Sequence, residues 1–150
     1  MIRLDRNFRW HEVPNSYYYR GDYSGYVYSA AVFQDKLYVA GDFDSIGGIP
    51  ANHIAKWDGV RWRTVGTGID DNEIFTMVEY GNELYVGGNF DLAGGVPVHN
   101  LARWNGSIWK DVGGGTDGRV FAMEIYYNEL YIGGNFEFAG GNYSPSLAKW

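Results

Sequence analysis

Two polar positions return three times in this 150-residue chain, at a spacing that could do chemistry. The first is Asp42, Asn89 and Asn135, and the second is Asp44, Asp91 and Glu137. Each pair flanks one aromatic residue, in "DFD", "NFD" and "NFE". Oxygen ligands spaced in this way suit a hard cation, and Asp42 with Asp44, the most acidic pair, is the calcium candidate. The other reading is that Asp and Asn bond the backbone of their own loop and hold its turn. No Asp-x-Asp-x-Asp-Gly run follows, so the pattern is not an EF-hand. A second carboxylate set, Asp70, Asp71 and Asp117, lies in "GIDDNE" and "GTDGR". These could serve as acid and base, or simply be solvated. The stretch "YYYRGDYSGY" (17–26) adds Tyr18 and Tyr19, whose rings suit stacking on a sugar or packing between sheets. Its Arg20-Gly21-Asp22 triplet carries little weight.

Other chemistries are excluded or weak. There is no Cys, which removes disulfides, thiolate metal sites and Cys nucleophiles. His11, His53 and His99 show no ligand spacing. "GGGTDG" (113–118) fits G-x-G-x-x-G, but the residues after it, "RVFAMEIY", read as a strand where a dinucleotide fold needs a helix. The formal charge is −6 with no basic cluster, so no nucleic-acid partner is expected. No apolar run reaches the length of a membrane span, and "MIRLDRNFRWHEV" has no apolar core of a signal peptide.

The elements that position these residues follow from an internal repeat. Leu37, Leu84 and Leu130 are equivalent, and so are Trp57, Trp104 and Trp150. Trp62 and Trp109 match again, giving a unit of about 46 residues. Each unit predicts four short strands, here A to D. Strand A is 27–33, 74–80 and 120–126; strand B is the "LYV" or "LYI" segment. Strand C is "AKW" or "ARW", and Asp58-Gly59 or Asn105-Gly106 turns it into strand D. Four antiparallel strands per 40–50 residues predict an all-β fold of β-propeller blades. The small residues Ser29, Ala30, Ala31, Thr76 and Ala122 suit a crowded inner strand.

The division expected is an N-terminal outer strand and long loop (1–26), blade 1 (27–73), blade 2 (74–119) and blade 3 (120–150), which lacks its outermost strand. "FRWHEV" (8–13) reads as a strand D with Trp10 in the place of Trp62. Three blades do not close a ring. The chain is therefore expected to be a partial propeller, or half of a six-bladed homodimer that self-associates through its N-terminal strand and incomplete last blade. The A–B and C–D turns fall on one face and the longer B–C and D–A loops on the other, where a site is expected.

The Gly pairs Gly87-Gly88 and Gly133-Gly134, with Trp on strands C and D, resemble the kelch-type blade of the galactose-oxidase-like superfamily. "LYVGGNFDLAGGVPVHNLARWNGSIWKDVGGG" is more closely similar to the delta-60-type repeat of large bacterial secreted and surface proteins. The resemblance covers about residues 27–150 and implies a propeller, an extracellular or cell-surface location and no defined activity. Ala40 departs from it, standing where the other units have Gly. The copper chemistry of that superfamily needs a Cys that this chain lacks. The function expected is a non-catalytic module binding a glycan or protein through the B–C and D–A loop face, with calcium as an optional ligand. The alternatives are a propeller enzyme acting on carbohydrate and a purely structural fragment of a larger surface protein.

Overall fold

The computed structural model describes residues 12–14, 16–20, 23–70 and 72–150. Asp71, Trp10, His11 and the Gly21-Asp22 part of the triplet lie outside the described residues, as does most of the expected outer strand 8–13. Among the described residues all regular elements are strands: β1 (Tyr18–Arg20), β2 (Tyr23–Ser24), β3 (Tyr26–Phe33), β4 (Lys36–Asp42), β5 (Ser45–Ile46), β6 (Ile49–Pro50), β7 (Ile54–Trp57), β8 (Trp62–Thr64), β9 (Ile74–Tyr80) and β10 (Glu83–Gly88). They continue with β11 (Leu92–Ala93), β12 (Val96–Pro97), β13 (Leu101–Trp104), β14 (Trp109–Asp111), β15 (Arg119–Tyr126), β16 (Glu129–Asn135), β17 (Phe138–Ala139), β18 (Asn142–Tyr143) and β19 (Leu147–Lys149). Among the described residues no helix is long and apolar enough to cross a membrane.

Two sheets are complete blades with strand orders β3-β4-β7-β8 and β9-β10-β13-β14. A third has three strands, β15-β16-β19. Every pairing is antiparallel. The fold is therefore all-β, a partial propeller of four-stranded blades. Tight turns join the inner strands because Gln34-Asp35, Gly81-Asn82 and Tyr127-Asn128 all take positive φ, matching the twist of the hairpin. At the outer hairpins, Asp58 Oδ1 accepts the Val60 and Arg61 N–H groups, and Asn105 Oδ1 those of Ser107 and Ile108.

The B–C connection is not a plain loop. Each carries a miniature hairpin, β5–β6, β11–β12 and β17–β18, turned by Gly47-Gly48, Gly94-Gly95 and Gly140-Gly141. Both glycines of each pair have positive φ (56° and 79° at Gly94-Gly95), which side chains other than Gly resist.

The core lies between blades. One cluster joins Tyr38, Ile54 and Val65 of blade 1 to Met77, Leu84, Val86 and Trp104 of blade 2. A second joins Tyr85, Leu101 and Val112 to Leu130 and Ile132 of blade 3. A third covers the outer flank of blade 1, where Val13 packs among Val39, Ala55 and Trp62. Backbone bonds reinforce these junctions. Gly68 and Gly115 offer their carbonyls to Gly94 and Gly140 on the next blade's small hairpin, and Tyr17 does the same for Gly47. The N-terminal segment thus meets blade 1 as blade 1 meets blade 2.

Candidate functional site

The second glycine of each pair at the end of strand B is structural. A Cβ on Gly41, Gly88 or Gly134 would collide with the carbonyl of Tyr26, Glu73 or Arg119, at or just before the start of the inner strand. That close approach accompanies a bulge in all three blades, between Val27 and Ser29, opposite Gly87/Gly88, and between Val120 and Ala122. The residue skipped by the register is aromatic each time: Tyr28, Phe75 and Phe121. A bulge re-aims its side chain. Here it lines the three rings into a ladder, with centroids 5.8 Å apart for Tyr28–Phe75 and 5.2 Å for Phe75–Phe121. Tyr26 stacks on Tyr28 at 6.2 Å, with the planes 3° apart. The ladder opens to solvent at its ends, with Tyr26 62%, Tyr28 46% and Phe121 48% exposed, and Phe75 between them is half-buried. The inner strand of blade 1 is accordingly not crowded, contrary to what its small residues suggest; Val32 is also exposed.

This ladder sits at the loop end of the inner strands, beside the first predicted polar set. Asp42 pairs in register with Tyr26, and Asn135 with Arg119. The Asn89 N–H bonds the Glu73 carbonyl at 3.0 Å. Between the two polar sets, Phe43, Phe90 and Phe136 are buried and anchor the loop. Their carbonyls accept the N–H groups of His53, Asn100 and Ser146, which all have positive φ. His53 and His99 thus occupy two adjacent left-handed positions that Asn100 and Asn52 fill in the neighbouring unit.

The second polar set has backbone duties. The Asp91 and Glu137 carbonyls accept Val98 and Ser144 N–H, and the Asp44 carbonyl accepts Ala51 N–H. The Asp91 carboxylate is exposed and 3.9 Å from His99 Nδ1. Asp91 and His99 open onto a groove of about 380 Å³ between blades 2 and 3, which also takes in Asn100, Thr116, Asp117 and Phe138. Asp117 is committed within it. Its Oδ1 accepts the Glu137 and Phe138 N–H groups, both at 2.9 Å. The Phe138 and Glu137 N–H bonds hold its carboxyl below the usual carboxylate range. Asp70 donates its backbone N–H to the Leu92 carbonyl, as Asp117 does to Phe138.

The structure therefore gathers Asp42 and Asn135 beside the ladder, and Asp91 with Asp117 in the groove. Asp44, Asn89, Asp70 and Glu137 stand at equivalent places on their own units. Tyr18 and Tyr19 pair in β1 with Ile46 and Ser45 of β5, which makes that stretch a junction strand. Among the described residues, no three or more His, Cys, Asp or Glu come together as a metal-holding group. The ladder itself was not read from the sequence, although its signal was there: an aromatic at the second position of every strand A.

Over residues 35–56 the chain matches the family model described as a domain of unknown function (DUF5122) beta-propeller. No curated protein matches it significantly. The matched residues run from the inner turn of blade 1 through its small hairpin to its third strand, and over them the chain resembles a β-propeller unit.

Proposed function

We propose that this protein is a non-catalytic β-propeller binding module whose ligand is a glycan, held on the loop face by the Tyr28–Phe75–Phe121 ladder. The observation that carries the reading is that three successive bulges place aromatic rings in line, Tyr28 and Phe121 exposed and Phe75 half-buried between them. Flat rings of this kind suit the apolar faces of sugars, and the neighbouring Asp42 and Asn135 supply acceptors for hydroxyl groups. The net charge of −6 favours a neutral ligand over a polyanion. Near-identical blades suit repeated binding better than catalysis, which needs different groups from different blades. Asp117, held ionised by two backbone N–H groups, is a poor proton donor. The kelch-type and delta-60-type resemblance supports an extracellular or cell-surface setting for the module, and calcium at Asp42 and Asp44 is an optional addition.

A glycan array, read with and without calcium, tests this directly. A hit should then weaken about 3–10-fold in Phe75→Ala, on the scale of one aromatic contact of ~0.5–1.5 kcal/mol. Asp117→Asn should leave it unchanged. Absence of any hit, or equal binding by Phe75→Ala, Tyr28→Ala and the parent, would reject the ladder as the site.

A further inference from the structure

The outer turns of blades 1 and 2 are one structure built on two different residues. In blade 1 the turn is Asp58-Gly59, and in blade 2 it is Asn105-Gly106. Asp58 Oδ1 accepts the Val60 and Arg61 N–H groups, both at 2.9 Å, and Asn105 Oδ1 accepts those of Ser107 and Ile108 at the same distance. The backbone closes alike, with the Asp58 N–H on the Arg61 carbonyl at 3.2 Å and the Asn105 N–H on the Ile108 carbonyl at 3.3 Å. Gly59 and Gly106 have φ of 97° and 102°. The nearby cation tells the turns apart. Arg63 Nε lies 2.8 Å from Asp58 Oδ2. The Arg63 guanidinium, with the Arg61 and Val60 N–H groups, holds that carboxyl well below the usual carboxylate range. Lys110 takes the register place of Arg63, but its Nζ lies 3.4 Å from Glu83 Oε1.

Asn105 is the one Asn of the chain that Gly follows. With no Cβ in the way, the glycine nitrogen can approach the side-chain amide that precedes it. The turn adds help of its own. Two N–H groups aimed at Oδ1 polarise the Cγ carbonyl, and they stand where negative charge gathers on that oxygen during attack. Ser107 and Ile108 are exposed, so water reaches the turn.

We propose that Asn105 is a site of self-promoted deamidation, and that the turn directs the product to aspartate. The Gly106 nitrogen bonds to Asn105 Cγ as it loses its proton. The Cγ–Nδ2 bond breaks, and the amide leaves as ammonia with that proton. Water then adds to the cyclic imide. Addition at Cγ restores the normal backbone and gives aspartate; addition at the Asn105 backbone carbonyl gives isoaspartate. The same two N–H groups, still on Oδ1, activate Cγ for this second attack. Aspartate fits the turn without rearrangement, since Asp58 already fills the equivalent place in blade 1 with the same bonds. Lys110 stands where Arg63 serves Asp58. Isoaspartate puts an extra carbon into the backbone, which the bonds of this turn do not accommodate. Asp58 itself is spared, because an ionised carboxylate resists attack by a backbone nitrogen.

The full folded chain is aged in mildly alkaline buffer and digested at intervals. Peptide masses should show the amide-to-acid conversion at Asn105 ahead of every other Asn. An isoaspartate-specific methyltransferase then reads the product. The ratio of aspartate to isoaspartate should be at least about threefold higher in the folded chain than in the same chain aged in guanidinium chloride, on the scale of one hydrogen bond. Asn105→Asp should match or exceed the urea midpoint of the parent. Conversion of Asn105 in guanidinium but not in buffer overturns the proposal, because the turn then protects the amide. So does an equal product ratio in the two conditions, or an Asn105→Asp midpoint below that of the parent.

Discussion

At the residue scale, two positions separate what a side chain offers a ligand from what it does for its own backbone. Asp117 looks like a site carboxylate in sequence, yet it brackets the start of the β17–β18 hairpin through two N–H bonds. Its folded pKa lies below the unfolded value of about 3.9. The stabilisation is therefore complete above that unfolded value and is lost as pH falls through the folded one. Hydrogen-exchange protection of the Glu137 and Phe138 amides should drop in this acid window. In Asp117→Asn, which keeps an acceptor but does not titrate, the drop should flatten; the same acid response in both proteins would refute the assignment. The paired glycines Gly133 and Gly134 make a second contrast. A Cβ on Gly134 runs into the Arg119 carbonyl, while one on Gly133 finds only the Ser146 carbonyl at 3.8 Å. Gly134→Ala should cost about 1–3 kcal/mol. Gly133→Ala, which copies the native Ala40, should be neutral or gain up to about 1 kcal/mol. Urea denaturation of the two variants checks this, and a reversed order would show that the bulge is not what requires the glycine.

At the scale of elements, the outer tryptophan locks one blade to the next. Trp109→Ala should destabilise by about 3–5 kcal/mol. Trp109→Phe, which keeps a ring but loses the bond to the Val65 carbonyl, should recover most of that and fall short by about 1 kcal/mol. Equal losses in the two variants would shift the weight from packing to the hydrogen bond. These strands were legible in the sequence because Leu84, Trp104 and Trp109 recur with their partners at one spacing. The inner and outer turns were legible from Gly81-Asn82 and Asn105-Gly106. The small hairpins were not, because strands of two residues such as β11 and β12 are too short for alternation to appear. Gly94-Gly95 was their single signal, and it reads equally well as a loose loop. The aromatic ladder escaped for a related reason. A bulge inserts one residue into a strand, so Phe75 looks like one more member of an apolar run. Only the register to Gly87 and Gly88 shows that it is turned out of the ladder of backbone bonds. The candidate site was legible as a face and as the polar positions Asp42 and Asn135, but not as the rings beside them.

At the scale of the whole molecule, a chain of like blades gains stability from each junction more than from each blade, because every core cluster described here lies on a blade face. Two junctions are internal, blade 1 to blade 2 and blade 2 to blade 3. A substitution that wedges a junction open should therefore cost more than the same substitution facing away from it. Gly94 and Gly95 make the comparison, since both have positive φ and resist a side chain equally on that account. A Cβ on Gly94 meets the Trp109 ring at 2.5 Å, whereas one on Gly95 has nothing within 4 Å. Gly94→Ala should therefore be less stable than Gly95→Ala by about 1–3 kcal/mol, seen as a lower urea midpoint. Equal midpoints would mean that the two blades part freely enough to admit a methyl group, and that the junction is not what holds the arc together.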